Sequence, residues 1–214
     1  MIPTVLALDT ASPVIGAALI RGAEVRQWSQ RIVRGSDAAL TPALAELLDG
    51  IDRLDAIAVS VGPGAFTSLR VGVAHALGLA LARSALVVPV SSLEARAAAA
   101  PGTRTLALLD GRKGRAYAGF YAPGLVGEEV DVQPSDAIAL ADGDWAATGE
   151  GALVWAAEVE AAGGHVVDEP AASPALALAR LGLARIGAGI APTGVRLRYL
   201  RAPDAKLPTI RYSR

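Results

Sequence analysis

The segment Val59-Ser60-Val61-Gly62-Pro63-Gly64-Ala65-Phe66-Thr67-Ser68-Leu69-Arg70-Val71-Gly72-Val73-Ala74-His75-Ala76-Leu77-Gly78-Leu79-Ala80 changes its periodicity within a few residues. Its first three residues end an apolar run, Ala56 to Val61, of the kind that forms a strand buried on both faces. Gly-Pro-Gly then breaks the run, and a helix is expected from about Phe66 to Arg83. From Val71 to Ala82 the only polar side chain is His75. Leu69, Val73, Ala76 and Ala80 fall on one stripe, while Val71, Ala74, Leu77 and Leu81 fall on another. A helix lying on one sheet needs one apolar stripe, so the surplus belongs to a domain contact or a partner. The apolar run is too short to span a bilayer, which takes about 20 residues. With no second ligand at helical spacing, His75 reads as a packed or interface histidine. Strand, glycine turn and helix in this order are the unit of an α/β fold.

Outward from that unit, the same grammar repeats twice. Towards the N-terminus, Val5–Leu8, Val14–Ile20 and Glu24–Val33 read as a three-strand meander, and Arg21-Gly22 supplies a tight turn. Ser36 opens a helix with Leu40, Leu44, Leu47 and Leu48 on one face, and Pro42 is expected to bend it. Val87–Val90 is a further strand, and Ser91 or Ser92 caps a helix reaching Ala100. Pro101-Gly102 marks a boundary. Beyond it Thr105–Leu109, Arg115–Tyr121 and Leu125–Val132 form a second meander. A short helix after Pro134, a strand near Trp145–Ala147, a helix at Leu153–Ala162, a strand at Val166-Val167 and a helix opened by Ser173-Pro174 follow. The expectation is an α/β protein of two lobes, residues 1–100 and 101–201, each of βββαβα type, with a basic tail at 202–214.

Composition limits the chemistry. The 214 residues contain no cysteine and two histidines far apart, which removes thiol chemistry and argues against histidine-rich zinc sites. Net charge is −1, so bulk charge gives no affinity for nucleic acid. The first ten residues lack a signal peptide's basic region, no membrane span is evident, and a cytoplasmic protein is expected. Charge is nevertheless uneven: zero over residues 1–100, −8 over 101–179 and +7 over 180–214. Pro203 and Pro208 make the tail extended. Internal pairing with the acidic span is expected for Arg180 and Arg185. For Arg198, Arg201, Lys206, Arg211 and Arg214 an external role is expected, on nucleic-acid phosphates or an acidic partner surface.

Three segments could carry chemistry. Leu8-Asp9-Thr10-Ala11-Ser12 puts a carboxylate and hydroxyls at a strand's C-terminal end, suited either to a phosphate or magnesium contact or to capping a turn. In the Gly62-Pro63-Gly64 turn the glycines allow close backbone approach to a ligand. There is no following lysine of a Walker loop and no third glycine of a dinucleotide fingerprint, and Thr67 or Ser68 could simply cap the helix. Leu109-Asp110-Gly111-Arg112-Lys113-Gly114-Arg115 echoes the first segment in the second lobe. Asp9 and Asp110 facing each other would form the phosphate clamp of an actin-like ATPase; the alternative is a basic hairpin turn with Asp110 as its cap.

In order and spacing, LALDTAS, VSVGPGAFTSLRVGVAHALGLA, VSSLEA, LLDGRKGRAYAGFY and RLRYLR resemble the bacterial TsaB (YeaZ) family from residue 4 to about 201. The GPGAFTSLR block is the most specific part. The resemblance implies an actin, Hsp70 and sugar-kinase type of fold and a part in making threonylcarbamoyladenosine next to the tRNA anticodon. It implies a non-catalytic partner of a TsaD-like subunit, which carries the metal and transfers the threonylcarbamoyl group, with a TsaE-like ATPase joining the pair. No catalytic residue, metal site or cofactor is then expected on this chain, and tRNA is met through the complex. The TsaD-like His-x-x-x-His motif has no counterpart here, and Gly35-Ser36 stands where the family often has His-Ser. Asp9, Thr10, Gly62, Gly64, Asp110 and Gly111 would be a vestigial nucleotide site. Leu40, Leu44, Leu47, Leu69, Val73, Ala76, Leu77 and Ala80 would be the partner interface, serving a homodimer when the chain is alone. The rival readings are a stand-alone actin-fold ATPase or kinase, for which Gly163-Gly164 could pass as the adenosine turn, and a structural homodimer. A metallopeptidase lacks ligands.

Overall fold

In the computed structural model the described residues are 3–32, 35–100, 104–167, 173–189 and 194–201. The boundary expected at Pro101-Gly102 and the tail at 202–214 lie outside them. The first meander forms β1 (Thr4–Asp9), β2 (Val14–Arg21) and β3 (Glu24–Arg31). Then come α1 (Ser36–Leu47), β4 (Ala56–Ser60), α2 (Phe66–Arg83), β5 (Leu86–Val90) and α3 (Ser92–Ala99). The second set is β6 (Thr105–Asp110), β7 (Ala116–Ala122), β8 (Leu125–Val126), β9 (Val130–Val132), α4 (Pro134–Ile138), β10 (Ala146–Thr148), α5 (Glu150–Val154), α6 (Ala156–Ala161), β11 (His165–Val166) and α7 (Ala175–Gly187).

The first sheet runs β3-β2-β1-β4-β5 and the second β8-β7-β6-β10-β11, with β9 also on β7. These are the same order twice. In each, the first strand pairs antiparallel with the second (Leu8 opposite Ala17, Leu108 opposite Ala118) and parallel with the fourth (Leu6 beside Ile57, Leu106 beside Ala147). The molecule therefore has the expected two-lobe, actin-like α/β fold with a duplicated βββαβα plan. The strand expected over Leu125–Val132 divides into β8 and β9, and the helix expected over Leu153–Ala162 divides at Trp155. α1 runs unbroken through Pro42, whose exposed ring leaves the freed carbonyl to water.

Alternation along the buried strands sends side chains to two cores. Leu6, Leu8, Ile57 and Val59 face α1 and α2, where they meet Leu40, Leu44, Leu47, Val73, Ala76 and Ala80. Val5, Ala7, Ala56 and Ala58 face the other way, onto Ala175, Leu178 and Ala179 of α7. The alanines keep that face shallow: a Cβ added to Gly182 would stand 2.7 Å from the Ala58 Cβ. This changes the expected partition, because α7 follows the second lobe in sequence but covers the first sheet. The second sheet packs on α4 to α6 through Leu106, Leu108, Phe120, Trp145 and Val159. Its other face meets α3 through Leu93, Ala107 and Leu109.

Candidate functional site

Two strand ends, β1 and β6, approach the junction of the lobes. There a cleft of about 700 Å³ opens, its walls formed by Ser12, Pro63, Thr67, Asp110, Glu150 and Arg201 among others. Gly64 and Gly111 also line it, whereas Asp9, Thr10 and Gly62 do not.

Asp9 is fully buried, and its Oδ2 lies 3.3 Å from Nη2 of Arg96, itself 4% exposed. Arg96 reaches it from α3, and its Nη1 donates to the Ser92 carbonyl at 2.9 Å. Asp9 Oδ1 has no hydrogen-bond partner among the described residues. On the second lobe, Asp110 caps its own turn, its Oδ1 accepting the Arg112 N–H at 2.8 Å, and it pairs with the Arg112 guanidinium at 3.4 Å. Glu150, at the start of α5, completes the arrangement. Burial raises its carboxyl above the ordinary glutamate value of 4.5; Arg96 opposes the rise, and the charges of Asp9 and Asp110 add to it. One guanidinium thus stands among carboxylates from both lobes.

An actin-like fold implies a magnesium nucleotide in such a cleft, and Asp9, the first lobe's strand-end carboxylate, does not line it. The Asp9 carboxylate is neutralised by Arg96 beneath the cleft floor, and no cluster of three metal-ligating side chains exists among the described residues. Thr10 is spent as well: its Oγ1 donates to the Ser68 carbonyl at 2.7 Å. The glycines of the turn make room for this chain. A Cβ on Gly62 would stand 2.5 Å from the Arg198 carbonyl oxygen, and one on Gly64 would run into the Ala11 carbonyl. α2 is capped by neither Thr67 nor Ser68; its N-cap is Ala65, whose N–H donates to Ala11 O at 2.8 Å. Gly163-Gly164 ends α6, with their N–H groups on the Glu160 and Val159 carbonyls.

The interface residues read from the sequence require correction. Leu40, Leu44, Leu47, Leu69, Val73, Ala76 and Ala80 are all buried in the protein's own fold and offer no surface to a partner. Of the eight only Leu77, 47% exposed, looks outward. The surplus stripe is the other one: Ala74 and Leu77 are exposed, and Leu81 is 87% exposed. The stripes were legible, but periodicity alone does not say which of two apolar stripes meets the sheet. His75 lies at the edge of this face, its Nε2 3.2 Å from Thr41 Oγ1 and its Nδ1 2.9 Å from the Val71 carbonyl.

The basic segment also departs from expectation. Residues 194–201 form a strap across the lobe junction, with the Arg198 N–H donating to Val61 O at 2.7 Å. Arg198 pairs with Glu129 at 3.0 Å, and Arg201 lies 3.8 Å from Asp131 and donates to the Gly111 carbonyl. Both arginines serve the internal pairing expected only of their neighbours, because the acidic lobe lies directly beneath. Arg185 does pair internally, with both oxygens of Glu94 at 2.7 Å, and Arg180 is exposed. Lys206, Arg211 and Arg214 lie outside the described residues. Tyr199 rests on Phe66 with ring centroids 5.0 Å apart, and Arg70 covers the Phe66 ring at 3.8 Å and donates to the Tyr199 hydroxyl at 3.3 Å. Arg96 and Glu150 escaped the sequence reading: they meet Asp9 only through contacts between distant segments.

Comparison with known proteins agrees with this architecture. The family model described as "TsaD: tRNA N6-adenosine threonylcarbamoyltransferase" matches residues 26–141, more than half of the chain. An uncharacterized protein of Mycobacterium tuberculosis is 33% identical over 218 residues, covering 96% of this chain and 95% of that one. The Escherichia coli tRNA threonylcarbamoyladenosine biosynthesis protein TsaB is 31% identical over 172 residues, 71% of this chain and 73% of its own. The solved structure of YeaZ from Pseudomonas aeruginosa superposes with a TM-score of 0.72 at 28% identity, covering 90% of this chain and 99% of that one. With relatives of that name matched across most of both chains, and the same two-lobe architecture in the solved neighbour, the chain belongs to the TsaB (YeaZ) family.

Proposed function

We propose that this protein is the non-catalytic partner subunit of a TsaD-type threonylcarbamoyltransferase, required for making threonylcarbamoyladenosine in tRNA. The observation that carries the reading is the match to TsaB of E. coli across 71% of the chain. The buried Asp9–Arg96 pair supports the non-catalytic part, since it neutralises the carboxylate at the first strand end. ATP and metal then belong to the partner subunits: the TsaD-like protein, and a TsaE-like ATPase that joins the pair. The exposed stripe of Ala74, Leu77 and Leu81 on α2 is the surface offered to the TsaD-like partner, or to a second copy when the chain is alone. tRNA is met through the complex, in the cytoplasm.

Reconstitution tests the proposal. The chain, its TsaD-type and TsaE-type partners, ATP, a threonylcarbamoyl donor and unmodified tRNA should together yield threonylcarbamoyladenosine. Omitting the chain should abolish the product, and the chain alone should hydrolyse no ATP. Product formed equally well without it removes the partner role, and ATP turnover by the chain alone favours a stand-alone ATPase.

A further inference from the structure

The cleft between the lobes has a rim that combines aromatic rings with cations. On the first lobe's side two exposed rings line it, Phe66 at 38% and Tyr199 at 41%. Arg70 lies over Phe66 at 3.8 Å and donates to the Tyr199 hydroxyl. It pairs with no carboxylate among the described residues, so the patch keeps a positive charge. On the second lobe's side the turn after β6 carries Arg112 and Lys113, both exposed, and Arg112 lines the cleft. Arg112 meets Asp110 at 3.4 Å but leaves 75% of its side chain in water. Both residues hold left-handed backbone, with φ of 63° and 55°, which glycine and asparagine adopt at lower cost. A turn built for stability alone would carry those residues. Two long cations in their place point to a use for the charge.

Exposed rings flanked by cations suit a single nucleic-acid strand, whose bases stack on aromatic faces while its phosphates meet the cations. We propose that this rim takes an unpaired stretch of tRNA, one base stacked on Tyr199 beside Phe66 and flanking phosphates on Arg112 and Lys113. The inference rests on the proposed role in tRNA modification and adds that this chain touches the tRNA itself. A cleft of about 700 Å³ has the size of a small-ligand pocket, so it admits an unstacked nucleotide and no duplex. The stripe of Ala74, Leu77 and Leu81 lies further along α2 and is aliphatic, so the two surfaces suit different partners.

Anisotropy titration of labelled, unmodified tRNA with the complex of this chain and its TsaD-type partner tests this, together with ultraviolet crosslinking of the same mixture. Crosslinks should join tRNA to peptides of this chain that contain Phe66 or Tyr199. Tyr199→Leu keeps an apolar side chain against Phe66 but offers no ring face, and should weaken tRNA binding at least about fivefold. Tyr199→Phe should bind as the parent does. Arg112→Asn combined with Lys113→Gly should raise the melting temperature, yet flatten the slope of log affinity against log salt by about 1.4. All these variants should still co-purify with the TsaD-type subunit. Unchanged affinity and salt slope, or crosslinks confined to the TsaD-type subunit, overturn the proposal. Loss of the partner by Tyr199→Leu makes the rim a protein interface and overturns it as well. A parent complex that makes no threonylcarbamoyladenosine removes the proposed function and this site with it; a parent complex that modifies tRNA with an indifferent rim removes this site alone.

Discussion

Glu150 is held where carboxylates from both lobes surround a single guanidinium, and its ionisation carries a stability consequence. Burial chiefly, then Asp9 and Asp110, lift its carboxyl above 4.5 in the folded chain, with Arg96 opposing. The folded state therefore holds the proton more tightly than the unfolded state. The stabilisation is fully present below about pH 4.5 and is lost as pH rises through the folded value. Glu150→Gln removes that loss. Urea midpoints of Glu150→Gln and the parent should be close near pH 4.5 and diverge towards pH 8, the variant becoming the more stable. A difference that stays constant with pH would refute the assignment. Arg96→Ala acts in the opposite sense: it strands a fully buried Asp9 and should cost about 3–5 kcal/mol in urea unfolding. If Arg96→Ala costs less than about 1 kcal/mol, the pair is not what neutralises Asp9. In sequence, Asp9 was readable as a strand-end carboxylate, but its partner lies 87 residues away. Nothing local in the alanine-rich α3 marks Arg96 as the cation that answers it.

Among the elements, α2 shows how far periodicity reaches and where it stops. Its length, its glycine-turn entry and its two apolar stripes follow from composition at helical spacing. Which stripe faces inward was not legible, because both are made of small and aliphatic residues of similar hydropathy. The sheet's position decided it: Leu69, Val73, Ala76 and Ala80 are buried, with Val73, Ala76 and Ala80 in the cluster formed with the β1 and β4 side chains, and Leu77 and Leu81 remain outside. The two stripes should respond differently to charge. Leu77→Arg and Leu81→Arg place their guanidinium in water, so each should change stability by no more than about 0.5 kcal/mol while abolishing co-purification with the TsaD-type subunit. Val73→Arg drives a charge into a site 8% exposed and should yield no soluble folded protein. Retention of the partner by both exposed variants would move the interface off this face. The strap is the element least anticipated. Arg198 and Arg201 read in sequence as external contacts, and only Glu129 and Asp131, brought beneath them by the second meander, turn them into internal pairs.

At the scale of the molecule, the duplicated strand order was legible as two meanders each followed by alternating helices and strands; the way the halves are fastened together was not. Residues 175–187 follow the second lobe in sequence and pack on the first sheet, Gly182 against Ala58. α3 lies under β6 while contributing Ala95 to the first lobe's core. The strap adds Arg198 and Arg201, tying Val61 of the first lobe to Glu129, Asp131 and Gly111 of the second. Few contacts that stabilise the second lobe are its own on this side, since its cluster with α3 contains only Leu93, Ala107 and Leu109 as buried members. On this face the second sheet should therefore depend on the fasteners, which add to the core it forms with α4 to α6. Native-state hydrogen exchange reads this directly, because amides in one cooperative unit share one opening free energy. In the parent chain the most protected amides of β1 and of β6 should open with the same free energy, to within about 1 kcal/mol. Replacing Arg198 and Arg201 together with alanine removes two ion pairs across the junction and leaves β1 enclosed by α1, α2 and α7. Protection of β6 and β10 should then fall below that of β1, splitting one unit into two. Opening free energies already unequal in the parent, or still equal in the doubly substituted chain, would mean that α3 and α7 alone fasten the lobes and that the strap serves another purpose.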